Sequence, residues 1–174
     1  SFSVSSQPGW GYRRGLFLDN ANASVLRAGY SIELVLDTSA LVGAGKLRAD
    51  GNDLRVVWDD GATQFELDRL AETPFNASDT EIWFKTRASI PAGGRDAHYF
   101  IYYGNPSAGT PPAAPNRVWA LWDAFDGSGV DTSLWVQNGS VTVSGGQAHF
   151  GVGGNLFGRT AYSDARFEVR LRLS

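Results

Sequence analysis

The stretch Tyr30-Ser31-Ile32-Glu33-Leu34-Val35-Leu36-Asp37 decides the fold. Tyr30, Ile32, Leu34 and Leu36 fall on one side of an extended chain, and Ser31, Glu33 and Asp37 alternate with them. Val35 is the one apolar residue out of phase. Side chains of a strand point to opposite faces in turn, so this pattern describes a strand buried on one side only. The pattern returns at residues 165–174, where Phe167, Val169, Leu171 and Leu173 oppose Arg166, Glu168, Arg170 and Arg172. No turn or closing strand follows. We therefore expect that segment either to dock on an earlier strand or another chain, or to belong to a longer protein of which this is the front portion.

The neighbouring segments agree. Trp10-Gly11-Tyr12-Arg13-Arg14 opens a strand to Leu18, and Asp19-Asn20 turns it. Residues 39–47 read as helical or irregular, since Gly43 and Gly45 weaken a helix. After the turn Asp50-Gly51-Asn52-Asp53, the residues Leu54, Val56 and Trp58 share one phase. Asp59-Asp60-Gly61 then reads as a hairpin turn into 63–70, because Asp-Gly tolerates the positive φ of tight hairpins. Strands follow at 81–87 and 97–103. Residues 104–115 hold four of the seven prolines and no charge. Proline donates no backbone hydrogen bond, so this stretch reads as a stiff linker with a boundary near Asn116. Beyond it, strands at 134–136, 140–143, 147–152 and 161–173 alternate with glycine turns. The expected fold is all-β: an antiparallel, jelly-roll-like β-sandwich over 1–116 and part of a second sandwich over 117–174.

Composition narrows the functions. A net charge of −3 over 174 residues gives no basic groove for nucleic acid and no attraction to an anionic membrane. No apolar run approaches the ~20 residues of a membrane span. The absence of Cys and Met removes disulfides and thiolate chemistry, and it suits exposure to oxidants at a cell surface. The sequons at Asn22, Asn76 and Asn138 lie in turn-like contexts and matter only in a glycosylating host.

Five elements in order carry a resemblance: Trp10-x-Tyr12-Arg13, Gly51-x-Asp53-Leu54-Arg55, Asp60-Gly61, Ile82-Trp83-Phe84-Lys85 and Tyr102-Tyr103-Gly104-Asn105. Together they resemble the bacterial and archaeal family known as domain of unknown function 2341. The resemblance implies a surface location without specifying an activity. In that family the module commonly precedes a concanavalin-like lectin or glucanase sandwich. It follows from the resemblance that Phe125-Asp126-Gly127, Asp131-x-x-Leu134-Trp135 and Phe167-Glu168-Val169-Arg170 begin such a sandwich, with 117–174 as its N-terminal part.

No catalytic constellation is legible. Glycoside hydrolysis needs two carboxylates flanking the bond, and no Glu-x-Asp-x-x-Glu run exists; Glu168 reads as part of a solvated charge ladder. No Gly-x-Ser-x-Gly elbow accompanies His98 or His149, which read as structural strand residues. Asp50, Asn52 and Asp53, with Asp59 and Asp60 nearby, are the candidate calcium ligands, and Asp126 or Asp131 offers a second such place. Leu54 breaks the EF-hand pattern at the third ligand, and turn formation explains the same residues. No cofactor is implied. Trp58 is in phase with the core. Trp83 shares a face with Glu81 and Lys85, and His98, Phe100 and Tyr102 oppose Tyr99, Ile101 and Tyr103. Trp83, Phe100 and Tyr102 are therefore the candidate ligand-binding residues. They form either a platform for sugar rings or, the preferred role, a seat for the second sandwich or a neighbouring subunit.

The expected function is a non-catalytic extracellular carbohydrate-binding or adhesion module of a cell-surface protein, with a polysaccharide or glycan as partner. The alternative is a structural subunit of a surface filament or sheath that binds neighbouring subunits by strand addition. A weaker alternative is an accessory domain of a glycoside hydrolase.

Overall fold

A computed structural model describes residues 8–162. The strand expected at 165–174 lies outside the described residues. The chain divides after Trp122 into two compact units, Ser1–Trp122 and Asp123–Ser174.

The first unit is an antiparallel β-sandwich. One sheet has the order β1-β7-β3-β4 and the other β2-β6-β5. The strands are β1 (Tyr12–Asp19), β2 (Ser31–Leu36), β3 (Arg55–Asp59), β4 (Gln64–Leu67), β5 (Arg69–Ala71), β6 (Thr80–Lys85) and β7 (Arg95–Tyr103). The alternation read in 30–37 is realised in β2. Ile32, Leu34 and Leu36 pack on the core, while Val35 stays 57% exposed. Across the pair β2–β6, Leu34 stands opposite Ile82 and Ile32 opposite Phe84, and both β6 residues are fully buried. Val56 of β3 and Tyr99 and Ile101 of β7 meet them from the other sheet, with the Phe84 and Tyr99 rings 5.8 Å apart. Fully burying an aliphatic or aromatic side chain contributes about 1.5–3 kcal/mol, so this seam between the sheets is a large stabilising contribution.

Local chemistry sets the connections. Residues after β2 do form a short helix, α1 (Thr38–Gly43), because Asp37 caps it by accepting from the Ala40 amide at 2.9 Å. Gly51 sits at φ +65° with the Phe75 ring against its Cα, so a side chain there would meet both backbone strain and the ring. β4 and β5 are one extended run that changes sheet at Asp68. The Asp68 carboxylate accepts from the Ala114 amide at 2.8 Å and pairs with Arg117.

The proline-rich stretch is a strap rather than a free linker. Proline residues lack N–H groups, so the stretch is held through its carbonyls. Arg48 donates to Ala108 O at 2.9 Å and Arg55 to Gly109 O at 2.6 Å. The Arg69 amide donates to Pro112 O. A short helix, α2 (Pro115–Val118), follows, and its Val118 is fully buried. Ser31 Oγ donates to Val118 O at 2.6 Å and Lys85 Nζ to Trp119 O at 2.7 Å. These contacts carry the first unit past the boundary expected near Asn116 and as far as Trp122.

In the second unit, β8 (Trp135–Asn138) pairs with β11 (Asn155–Gly158), and β9 (Val141–Ser144) pairs with β10 (Gln147–Phe150). Trp135 stacks on Phe125 at 6.0 Å and donates from Nε1 to Asp123 at 2.7 Å. Val141 and Val143 are buried, whereas Val136, Phe150 and Phe157 are exposed.

Candidate functional site

Trp83, Phe100 and Tyr102 do not form one platform. Trp83 lies on the outward face of the three-stranded sheet, opposite to its core-facing neighbours Ile82 and Phe84. Its ring is covered by Trp119 of the strap, with centroids 4.9 Å apart. The seat expected at Trp83 is thus filled from within the same unit. Phe100 and Tyr102 lie on the outward face of the four-stranded sheet, because Tyr99, Ile101 and Tyr103 take the core side of β7. Tyr102 is fully buried. Trp10 packs edge-on against it, with ring centroids 6.3 Å apart. Arg13 and Arg55 are its strand neighbours on either side. Its burial leaves no face for a ligand.

Phe100 is different. The Arg13 guanidinium stacks on its ring, 3.6 Å from the centroid. Arg13 reaches across β7 towards Asp59 on β3, with Nη2 3.4 Å from Oδ2. Beside this stack lies a shallow, open depression of about 620 Å³. Arg13, Phe100 and His98 form one side of it, and Asp59, Asp60, Thr63 and Gln64 of the β3–β4 turn form the other.

The turn is tightly wired. Asp59 accepts from Gln64 Nε2 at 2.8 Å and from the Gly61 amide at 2.9 Å. Asp60 accepts from the Ala62 and Thr63 amides at 2.9 and 2.7 Å. The Gln64 hydrogen bond first, then the Gly61 amide, hold the Asp59 carboxyl below the usual carboxylate range. The Thr63 and Ala62 amides do the same for Asp60. Both therefore stand ionised at neutral pH. His98 Nδ1 lies 2.6 Å from Asp96 Oδ1.

The candidate calcium ligands are hydrogen-bonded within their own turn. Asp50 accepts from Arg48 Nη2 at 2.6 Å and from the Asn52 amide at 2.9 Å. Asp53 accepts from the Arg48 amide at 2.9 Å. The carbonyls of Asn52 and Gly51 accept from Arg55 and Arg69. Burial pushes the Arg69 guanidinium down to about 10, which keeps it cationic at neutral pH. Guanidinium groups thus occupy the positive role in this loop. Asp131 caps Ser133 and accepts from its amide at 2.8 Å. Among the described residues no group of three or more His, Asp and Glu side chains comes together to hold a metal. None of the helices among them is long and apolar enough to cross a membrane. His149 forms a cross-strand contact, its Nε2 3.1 Å from Ser144 Oγ.

Of the three expected ligand-binding residues only Phe100 lines this depression, and Arg13, Gln64 and His98 line it without being expected as site residues. Alternation held the signal. Arg13 and Gly15 share the outward phase of β1, and His98 shares that of Phe100 on β7. Only the antiparallel register, which a single strand's pattern does not disclose, brings these phases together.

These features define an antiparallel β-sandwich module with an open, shallow depression on the outward face of its four-stranded sheet. The chain belongs to the family described as domain of unknown function (DUF2341), whose model matches residues 50–138. That match takes in the elements at Gly51, Asp60, Ile82 and Tyr102, and it begins after the Trp10 opening. No curated protein and no solved structure matches the chain.

Proposed function

We propose that this chain forms a non-catalytic carbohydrate-binding or adhesion module of a cell-surface protein, and that the depression beside Phe100 receives the glycan. The carrying observation is the Arg13 guanidinium, set over the Phe100 ring next to the polar turn 59–64. A planar guanidinium offers several fixed donors to neighbouring hydroxyls. Asp59 and Gln64 add polar groups on a rigid hairpin. The same groups argue against hydrolysis at this place. Glycoside hydrolysis needs one carboxyl that keeps its proton, and both carboxylates in the depression are held ionised.

Affinity electrophoresis through gels containing a soluble β-glucan, a xylan or a mannan tests the reading. Wild-type protein is expected to be retarded by at least one of them. Gln64→Ala and Arg13→Ala lose the retardation, whereas Trp83→Ala keeps it in the folded fraction. A wild-type protein that migrates freely through every gel sinks the proposal.

A second reading, strand addition within a filament or sheath, draws support from the second unit. Val136 and Phe157 stand opposite each other on β8 and β11, 40% and 53% exposed. A two-stranded ladder is marginal alone, and exposed apolar pairs seek cover. Concentration-dependent fibres that disappear on deletion of 161–174 are the expected result; a monomer at millimolar concentration contradicts it.

A further inference from the structure

The depression has a wall that the proposed function does not use. β7 carries an extra residue against β1: Leu16 pairs with Tyr99 and Leu18 with Asp96, so Ala97 and His98 together oppose Phe17. Bulges of this kind re-aim a side chain and are frequent beside functional sites. Here the re-aimed side chain is Asp96, buried opposite Leu18 although it has the parity of Phe100, while His98 keeps the outward phase and lines the depression with Arg13, Asp59 and Gln64.

The imidazole is held on two sides. Asp96 Oδ1 lies 2.6 Å from His98 Nδ1 and also accepts from the His98 amide at 2.9 Å. The Trp58 ring lies 6.0 Å away, centroid to centroid. The Asp96 side chain is only 8% exposed, whereas that of His98 is 52% exposed. Burying a carboxylate is costly unless it is hydrogen-bonded. Here one of its hydrogen bonds goes to a ring that stays half in water and adds little burial in return. Such a pairing fixes the ring's orientation and its tautomer. With the carboxylate accepting, Nδ1 carries the hydrogen, and the neutral ring keeps a lone pair on Nε2.

We infer that the β7 bulge and the buried Asp96 present His98 Nε2 as a directed hydrogen-bond acceptor for a hydroxyl of a neutral polyhydroxylated ligand, with Asp96 as the positioning residue. The inference rests on the carbohydrate-binding reading of the depression. Arg13 supplies donors across the same depression, so a ligand carrying adjacent hydroxyls meets a donor and an acceptor together. Neutrality follows from the lining. Asp59 and Asp60 bring two negative charges against the single positive charge of Arg13, which disfavours uronates and sulfated sugars.

Two measurements on the full chain test this. Long-range ¹⁵N–¹H correlation at neutral pH should find the neutral His98 ring protonated on Nδ1, and Asp96→Asn should shift it towards the Nε2 form. An Nε2-protonated ring in the wild type overturns the inference without any ligand. Titration with oligosaccharides cut from whichever neutral polysaccharide retards the wild type gives the second readout. His98→Ala should weaken binding at least tenfold, and His98→Gln, whose carbonyl can accept, should recover part of it. Unchanged affinity in His98→Ala overturns this inference and leaves the depression reading standing. Tighter binding of an acidic polysaccharide overturns the neutral-ligand assignment. A wild type that binds no polysaccharide overturns both.

Discussion

On the three-stranded sheet the outward aromatic, Trp83, lies under another tryptophan, while on the four-stranded sheet Phe100 lies under a guanidinium. Both residues break the inward alternation of their strands, and in the sequence they look alike. What covers them separates their roles. The indole of Trp119 arrives on a strap whose carbonyls are held by Lys85 and Ser31, and the face closes as a small second core. The Arg13 guanidinium covers the hydrocarbon of Phe100 but leaves polar atoms beside open solvent. A hydrocarbon lid finishes a face; a polar lid leaves it able to bind.

The largest effect that separates the faces is expected at Trp83. Trp83→Ala removes a half-buried indole and leaves Trp119 without its partner, which should cost about 2–3 kcal/mol in urea denaturation. A double-mutant cycle with Trp119→Ala should return a coupling of about 0.5–1.5 kcal/mol. Additive losses would mean that the strap does not close this face. Next comes Lys85→Met. Its ammonium donates to Asn116 O and Trp119 O, and burial pushes its pKa below the usual lysine range. The variant should lose about 1 kcal/mol and speed amide exchange at Val118 and Trp119. Unchanged exchange there would mean that the strap is held by its apolar contacts alone.

On the open face the effects on stability are smaller. Arg13→Lys keeps the charge but loses the planar stack, so stability should fall by roughly 0.5–1 kcal/mol while binding falls much further. The smallest effect is acid sensitivity. The folded-state pKa of Asp59 is depressed below its ordinary 3.8, chiefly by Gln64. Its contribution is therefore fully present above the unfolded value and is lost as pH falls through the folded one. Gln64→Ala should flatten the drop in stability below about pH 4, measured by thermal melts across pH.

Much of the sandwich was legible because burial imposes period two. The alternation at 30–37, the Asp60-Gly61 turn and the core side of β7 all follow from side chains that must face oil or water. The strap was not legible. Proline residues announce missing donors, and nothing in residues 104–115 indicates that Arg48 and Arg55, far away in sequence, will take up its carbonyls. The depression was half legible. Phe100 was in view, but Arg13 reaches it only through the pairing of Gly15 with Phe100, and the bulge that buries Asp96 beside His98 leaves no mark on composition. The acids at 50–53 show a related limit: acids in a turn look the same whether a metal or an arginine answers them.

Chemical-shift mapping of the ¹⁵N-labelled chain with a neutral oligosaccharide weighs the two faces directly against each other. The account predicts perturbations gathered at Arg13, residues 59–64, His98 and Phe100, with Trp83, Lys85 and Trp119 unmoved. Shifts gathered around Trp83 and Trp119, with the turn at 59–64 silent, would contradict it.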